Sequence, residues 1–336
     1  MDLFFFFLIV EGLCVSAWIS RKCLVLDEDN PYPNFAFNKM TCPRSQLTAT
    51  CNCMEVSNLA LELSTIPTTI QVLCLWDSSG MKIPHNGLRK FSHLQSLYIY
   101  GCLSAIDPEA FRGLAHLQML FIDSSKQCNA SLPSQVFSDL NNLEDVKLNN
   151  YELPQMEMCD LTGLSRMKRL DIKGSVNFTD LFCKVSCFST TLEYLNIEME
   201  DAGVLKPPIC THEQYKFPSL KGVRILFRNI DTIENNAFKC FKNITFLSMP
   251  MDYVLQSQIL NSGIQQIDQV ELHITEIHMK YICEIVPLLS VKKLYLNVQS
   301  FQEYSDSSWE NCATLEEISL QSNLLATDLR FFILSS

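Results

Sequence analysis

A six-residue hydrophobic pattern, with aliphatic residues at its first, fourth and sixth places, recurs along most of this chain. It occurs eleven times in 336 residues, and successive starts lie 23 to 28 residues apart. The eleven starts are Ile70, Leu94, Leu117, Leu143, Met167, Leu192, Leu220, Ile244, Ile267, Val291 and Leu315. Repetition at this period is typical of solenoids, because one repeat cannot bury its apolar face alone and neighbouring repeats must stack.

The spacing within the pattern predicts a strand. The fourth and sixth places share one face because side chains alternate along a strand, and the first place enters the core where the chain turns into it. Aromatic anchors before several strands are expected to fill the layer behind the sheet, namely Phe91, Phe111, Phe137 and Phe238. We therefore expect an α/β solenoid of horseshoe shape over residues 68–320, with a concave parallel sheet of about eleven strands and an irregular convex side.

The first 17 residues have the composition of a secretory signal peptide. An apolar run extends from Leu3 to Val10, and Val15-Ser16-Ala17 supplies small residues for cleavage before Trp18. A transmembrane anchor is the alternative, but Glu11 ends the apolar run far short of the ~20 residues that a span requires. We expect the mature chain to begin at Trp18 and to be secreted or displayed on the cell surface.

Cysteines and glycosylation motifs agree with export. The chain has 15 cysteines, of which Cys14 would leave with the signal peptide, and an even number would remain. Such a density is typical of compartments in which disulfides form. Asn129, Asn177 and Asn243 each begin an N-glycosylation motif without proline at its second position.

The strand motif, its period and the cysteines before the first repeat resemble extracellular leucine-rich-repeat proteins. Cys42-Pro43, Cys51-Asn52-Cys53 and Ile66-Pro67 follow the cysteine-rich N-terminal flank of that family, which implies a cap over residues 18–67. Asn58 stands where the flank has its fourth cysteine. The resemblance therefore implies the disulfides Cys42–Cys53 and Cys23–Cys51, with Cys23 replacing the missing partner.

A second departure concerns the ninth place of each repeat, where this family usually has an asparagine. In this chain only the last repeat has one, Asn323. Tyr151, Glu200 and Arg228 are poorly suited to replace a buried amide, because each is bulky or charged. We expect repeats four to seven to be irregular.

Sequence motifs give no support to catalysis. The chain lacks GxxxxGK[ST], GxGxxG, GxSxG, HExxH and paired CxxC motifs, and its six histidines are scattered over different repeats. We expect no catalytic residues, no cofactor and no metal site. The net charge of −11 argues against nucleic acid as a partner, because an acidic surface repels phosphate.

The outward places of the strands are the predicted binding surface. An aromatic patch is expected at Trp76, Tyr98, Tyr100, Met119 and Phe121. Exposed aromatic groups of this kind are enriched at interfaces, although the N-terminal cap or a glycan covering them is the alternative.

A charged lattice follows on the next strands. Its cations are Lys147, Arg169 and Lys173, and the acids predicted to face them are Asp171, Asp145 and Glu198. Both surfaces are candidates for ligand binding, but the lattice has the alternative of a self-neutralised solvated face.

Two function classes remain open at this stage. The resemblance implies a receptor ectodomain similar to Toll-like receptors, which binds a protein or microbial ligand, is coupled to signal transduction in innate immunity and dimerises. The alternative is an adhesion or guidance protein, or a soluble decoy, on the same scaffold. Residues 321–336 are expected to be a truncated end of a longer receptor, with a membrane span in the missing part, or a makeshift cap.

Overall fold

The computed structural model describes residues 7–10, 13–16, 18–19, 23–27, 47–53, 59–125, 128, 132–133, 136–150, 164–174, 190–207, 219–239, 241, 243–250, 256–274, 286–298, 312, 315–322 and 325–332. The chain divides into two compact units, Met1–Ile172 and Lys173–Ser336. Each unit contains a run of neighbouring parallel strands, one from each repeat.

The first unit begins with antiparallel strands. β1 (Phe7–Val10) and β2 (Leu13–Ser16) form a hairpin, and β3 (Trp18–Ile19), β4 (Cys23–Asp27) and β5 (Leu47–Asn52) pair antiparallel in that order. The expected signal peptide includes β1 and β2, and its cleavage stays a prediction.

Parallel strands follow in the same unit, after the short helix α1 (Leu59–Leu63). They are β6 (Val72–Ile83), β7 (Ser96–Ile106), β8 (Met119–Ser124), β9 (Asp145–Asn149) and β10 (Arg169–Gly174), whose last two residues belong to the second unit. β5 pairs parallel with β6, so the repeating sheet begins one strand before the first predicted repeat.

The second unit continues the repeat with β11 (Tyr194–Met199), β13 (Gly222–Phe227), β15 (Asn243–Pro250), β16 (Gln266–Ile274), β17 (Lys293–Val298) and β18 (Glu317–Ser322). These pair parallel with their neighbours. The second unit also contains a separate small parallel pair, β12 (Val204–Leu205) with β14 (Thr232–Ile233), and the helix α2 (Gln256–Asn261). β19 (Leu325–Phe332) runs antiparallel along β18. A capping role for residues 321–336 stays a prediction.

The core confirms the predicted inward residues. All eleven predicted strands are present, and every fourth or sixth place whose side-chain burial the structure describes has a relative exposure of 6% or less. The anchors Phe91, Phe111, Phe137 and Phe238 are also buried. Each such side chain contributes ~1.5–3 kcal/mol when removed from water, so the stack is stable only as the sum of many repeats. The chain is a leucine-rich-repeat solenoid.

Backbone hydrogen bonds join successive repeats at the second place of the pattern. The Gln95 N–H donates to the Gln71 carbonyl at 2.8 Å, and Gln118 donates in the same way to Gln95 at 2.8 Å. Glu144 continues the series to Gln118 at 2.9 Å, and Lys168 to Glu144 at 2.8 Å. These bonds satisfy the backbone where each strand begins, whatever the side chain is.

The ninth places are not core positions in the repeats that the structure describes. Arg228 is exposed and pairs with Glu198 at 2.8 Å, so the concern about a buried charge there was wrong. In the first unit, the residue at the eighth place forms the turn that follows the strand. The buried Asp77 carboxylate accepts from the Ser79 N–H and hydroxyl, and Gly101 (φ +100°) lies so close that a Cβ would collide with the Asp77 carbonyl.

One irregularity lies between repeats seven and eight, at the end of the region predicted to be irregular. β11 and β13 pair in the predicted register, whereas Arg224 pairs with Phe246 and Ile225 with Leu247, a slip of two residues from the pattern. Leu220, predicted to be a core residue, is therefore only partly buried. A two-residue slip keeps the same side chains on each face, so the hydrophobic pattern does not reveal it.

Candidate functional site

The aromatic patch lies on the open face of the first unit, which is the sheet face that points away from the core. Trp76 pairs with Tyr100 and Tyr98 with Phe121, as the predicted register requires. The ring centroid of Phe121 lies 5.9 Å from that of Tyr98 and 5.2 Å from that of Tyr100. Tilted and edge-on contacts of this kind add ~0.5–1.5 kcal/mol per pair beyond burial.

The prediction that this patch is exposed was wrong for its two tyrosines. Tyr98 and Tyr100 each have a relative exposure of 9%. They pack on one another and on the buried Val72 and Cys74, and the Tyr98 hydroxyl donates to the Met119 sulfur at 2.8 Å. The tyrosines thus form the floor of the patch. Its partly exposed members, Trp76, Met119 and Phe121, form the rim.

Burial also changes the acidity of these tyrosines. Desolvation, together with the nearby Tyr98 hydroxyl and Asp123 carboxylate, raises the pKa of Tyr100 to about 12. Desolvation and the Asp145 carboxylate raise the pKa of Tyr98 as well, against a hydrogen bond with Ser96 that lowers it. Both rings are therefore neutral at physiological pH and act as hydrogen-bonding, apolar surface.

The charged lattice begins one strand further along, and its predicted pairs form. In the first unit, Arg169 contacts Asp145 at 3.7 Å and Lys147 contacts Asp171 at 3.4 Å. In the second unit, Lys173 contacts Glu198 at 3.0 Å, and Arg228 contacts the same carboxylate. Desolvation alone would raise the pKa of Glu198, but the hydrogen bonds from these two cations hold it below the ordinary value.

Asp145 differs from the other acids of the lattice. Its Oδ1 atom is buried and has no hydrogen-bond partner among the described residues. Desolvation raises the pKa of this carboxyl, although Lys147 and Arg169 act in the opposite direction. The cations thus compensate only part of the cost of burying this charge.

Disulfides were predicted only in part. The structure joins Cys23 to Cys51, and these residues face each other across β4 and β5. Cys53 is buried and Cys42 lies outside the described residues, so the Cys42–Cys53 pairing stays a prediction. A further disulfide, Cys102–Cys128, was not anticipated. Its 26-residue separation is about one repeat, and that spacing is the signal that could have revealed it.

The glycosylation sites stay predictions. Asn129 and Asn177 lie outside the described residues, and Asn243 is the first residue of β15. The hydroxyl oxygen of Thr245, the third residue of that motif, accepts a hydrogen bond from the Val223 N–H at 2.6 Å. This threonine therefore has a structural role in joining β13 to β15.

The open face of the second unit contains a cleft of about 380 Å³ that the sequence interpretation did not identify. It is lined by Arg224, Phe246, Gln269, Glu271, Tyr295, Leu296, Asn297, Ser319 and Gln321. Most of these are outward residues of β13 and β15–β18. Strand alternation alone would have placed these residues on this face. It would not have shown which of them are neighbours, because the register between β13 and β15 is shifted by two residues.

Ser248 and His273, beside this cleft, are the residue types of a catalytic nucleophile and its general base. The Ser248 hydroxyl lies 3.1 Å from His273 Nε2, and Glu271 lies 3.9 Å from the same nitrogen. A catalytic triad needs the acid on the other ring nitrogen, where it orients the imidazole. The arrangement is therefore a hydrogen-bonded pair between the buried Ser248 and the partly buried His273, and it gives no support to acyl-transfer chemistry.

Within the part of the chain that the structure describes, no group of three or more histidine, cysteine or acidic side chains is arranged to hold a metal ion. In the same residues, no helix has the length and apolar character needed to cross a membrane.

Comparison with known proteins gives a relative in sequence. A segment of 131 residues, 39% of this chain, is 34% identical to Toll-like receptor 12 of Mus musculus. The chain spans 14% of that receptor's length. No protein-family profile matches the chain.

Several solved structures are similar at low sequence identity. A leucine-rich-repeat protein of Leptospira interrogans is 14% identical with a TM-score of 0.44, covering 81% of this chain and 72% of that one. An internalin of Listeria monocytogenes is 16% identical with a TM-score of 0.39, covering 79% and 75%. The mouse RP105/MD-1 complex gives 13% identity and a TM-score of 0.39, covering 81% and 62%.

Proposed function

We propose that this chain is the extracellular ligand-binding part of a receptor of the Toll-like type, and that it binds a protein partner through the aromatic patch. The observation that carries the proposal is a rim of partly exposed large side chains over a packed tyrosine floor on the open face of the sheet. The 131-residue similarity to a Toll-like receptor supports the class of protein. Signalling in innate immunity, receptor dimerisation and a cell-surface location are parts of the same proposal.

The rim has the chemistry of a binding hot spot. Trp76, Met119 and Phe121 retain accessible surface, and covering apolar area contributes ~25 cal/mol per Å². Because Tyr98 and Tyr100 are already packed beneath them, little side-chain entropy is lost when a partner binds. Aromatic anchors in such surroundings supply most of the affinity in typical interfaces.

The charged lattice has a secondary role in this proposal. Lys147 and Arg169 are already paired with acids on the neighbouring strand. Paired charges at the edge of an interface orient a partner and raise the association rate more than they raise affinity. We expect Lys173, which is paired with Glu198, to behave in the same way.

Site-specific photocrosslinking tests the binding surface even while the partner is unidentified. A photoreactive phenylalanine replaces Phe121 in the chain displayed on cells, and the same residue replaces Leu61, which is 67% exposed on α1, as the control. We expect a discrete protein crosslink from position 121 that position 61 does not give. Equal crosslinking at both positions, or none at 121, contradicts the proposal.

The signalling part needs a separate test, because an adhesion protein or a secreted decoy uses the same scaffold. The complete transcript is sequenced beyond the codon for Ser336. A membrane span followed by a cytoplasmic Toll/interleukin-1-receptor domain is the expected result. A glycolipid-anchor signal or a stop codon in its place contradicts a signalling receptor and favours the alternative.

A further inference from the structure

The cleft on the open face of the second unit is built from three rows of side chains. The register aligns Arg224, Phe246 and Gln269 in one row, and Glu271, Tyr295 and Ser319 in the next. Asn297 and Gln321 continue the third row beside His273. Its volume of about 380 Å³ lies at the lower end of the ~300–1,000 Å³ of small-molecule sites.

Several polar side chains of this cleft are available to form hydrogen bonds with a ligand. Within the described part of the chain, Gln269, Asn297, Ser319 and Gln321 form no side-chain hydrogen bond and no ion pair. Each amide offers two donor hydrogens and an acceptor oxygen, and the hydroxyl both donates and accepts. A ligand that matches this wall must therefore present many groups that donate and accept at once.

The charges at the cleft cancel. The Arg224 guanidinium lies over the Phe246 ring, 4.3 Å from its centroid, and Glu271 is the acid of the lining. Lys293 and Glu317, next to the cleft on the same face, are paired with each other at 3.0 Å. One lining cation and one lining anion leave the lining with no net charge, so neither an anionic nor a cationic ligand is favoured by the net charge.

Aromatic surface completes the lining. Tyr295 stands in the middle row, between Glu271 and Ser319, and its side chain is partly buried. Its ring gives the cleft an apolar wall among hydrogen-bonding groups. An acyl chain would leave the amides without partners, which costs ~1–3 kcal/mol for each group that becomes buried.

From these features we propose that the cleft binds a neutral oligosaccharide. A sugar ring has an apolar face of C–H groups that packs on Tyr295, and hydroxyls around its edge that donate and accept. Gln269 and Asn297 flank Tyr295 on the two neighbouring rows, so one ring stacked on the tyrosine lies within reach of both amides. This site lies in the second unit and is independent of the protein partner proposed for the first.

The test uses the full secreted chain on a printed array of neutral oligosaccharides of mannose, glucose, galactose, fucose and N-acetylglucosamine. Sialylated and sulfated counterparts and a peptide library are printed beside them. We expect binding to a subset of the neutral glycans. Titration calorimetry with the best of them should show at least a tenfold loss of affinity in Tyr295→Ala.

Two further variants make the result specific. Gln321→Ala alters an exposed side chain and should leave the fold intact, and it should weaken glycan binding about threefold or more. Tyr194→Ala is the matched control, because Tyr194 is 41% exposed on β11 of the same unit and does not line the cleft. It should change the affinity less than twofold.

Each contrary outcome overturns the proposal. These outcomes are a folded chain that binds no neutral glycan, one that prefers the anionic glycans or the peptides, and glycan binding that neither Tyr295→Ala nor Gln321→Ala weakens. Thermal melting of each variant shows that the chain is folded, and Gln321→Ala decides the matter if Tyr295→Ala does not fold.

Discussion

The aromatic patch and the first part of the charged lattice, the pairs Lys147–Asp171 and Arg169–Asp145, share the open face of the first unit, yet they differ in their exposure to solvent. Phe121 and Lys147 are direct neighbours across β8 and β9. On one side of this boundary the side chains bury one another, and Tyr98 and Tyr100 keep only 9% of their surface. On the other side Arg169 keeps 46% exposure and its charge is balanced by Asp145. The comparison indicates that interaction energy concentrates in the rings, while the charges set orientation and solubility.

The largest effect on stability is expected from removing part of the tyrosine floor. Tyr100→Ala leaves a cavity beneath Phe121 and should reduce the free energy of unfolding by about 3 kcal/mol, the usual scale for a buried aromatic residue. Tyr100→Phe keeps the ring and should cost much less. Chemical denaturation of the three proteins measures this. Equal stability of Tyr100→Ala and the parent chain would mean that the floor contributes nothing.

Alkaline titration examines the same floor without a large perturbation. The pKa of Tyr100 is raised from 10.0 to about 12, so the folded state holds this proton more tightly than the unfolded state does. The stabilisation is complete below pH 10 and is lost as the pH rises from about 10 to about 12. Ultraviolet absorbance should show tyrosinates that appear only at high pH, and Tyr100→Phe should remove one of them while that of Tyr98 remains. An ordinary titration in both proteins contradicts the burial.

A much smaller effect on stability is expected from a substitution in the charged lattice. Lys147→Ala removes the 3.4 Å contact with Asp171, and a partly exposed pair of this kind contributes ~0.2–1 kcal/mol. The loss should shrink as salt is added, because screening weakens the pair. Denaturation at low and high ionic strength checks both statements. A loss as large as that in Tyr100→Ala would remove the contrast between the two regions.

The smallest change in stability is expected at Asp145, where substitution should leave the stability of the protein unchanged or raise it. Because desolvation raises the pKa of this carboxyl, the folded protein favours its neutral form, and stability falls as the pH rises through the ordinary value and then the raised one. Asp145→Asn resembles that neutral form and should be neutral or stabilising by up to about 1 kcal/mol at pH 7. Glu198→Gln is the counterpart, since a lowered pKa predicts destabilisation there. Thermal melting of both variants gives the two signs.

The repeat pattern was enough to predict the fold, because burial in this sheet follows a local rule. Every fourth and sixth place whose side-chain burial is described is inward, and the pairing of Lys147 with Asp171 followed from the register alone. The repeat pattern failed to predict burial where burial depends on residues outside the same repeat. The exposure of Tyr98 depends on packing from neighbouring strands, and the partial exposure of Leu220 depends on a slip that keeps the alternation intact. The Cys23–Cys51 pairing was inferred from the resemblance, whereas no pairing of Cys102 with Cys128 was inferred from it.

The central claim, that a partner is bound by the rim and not by the lattice, is tested most directly by affinity. The partner captured from position 121 is titrated against the parent chain, Trp76→Ala with Phe121→Ala, and Lys147→Ala with Arg169→Ala, after thermal melting shows that all three are folded. The account predicts that the aromatic double variant weakens binding by ~2 kcal/mol or more, about 30-fold, while the lattice double variant changes it by less than about 1 kcal/mol. A larger loss in the lattice variant, with the aromatic variant binding normally, would contradict it.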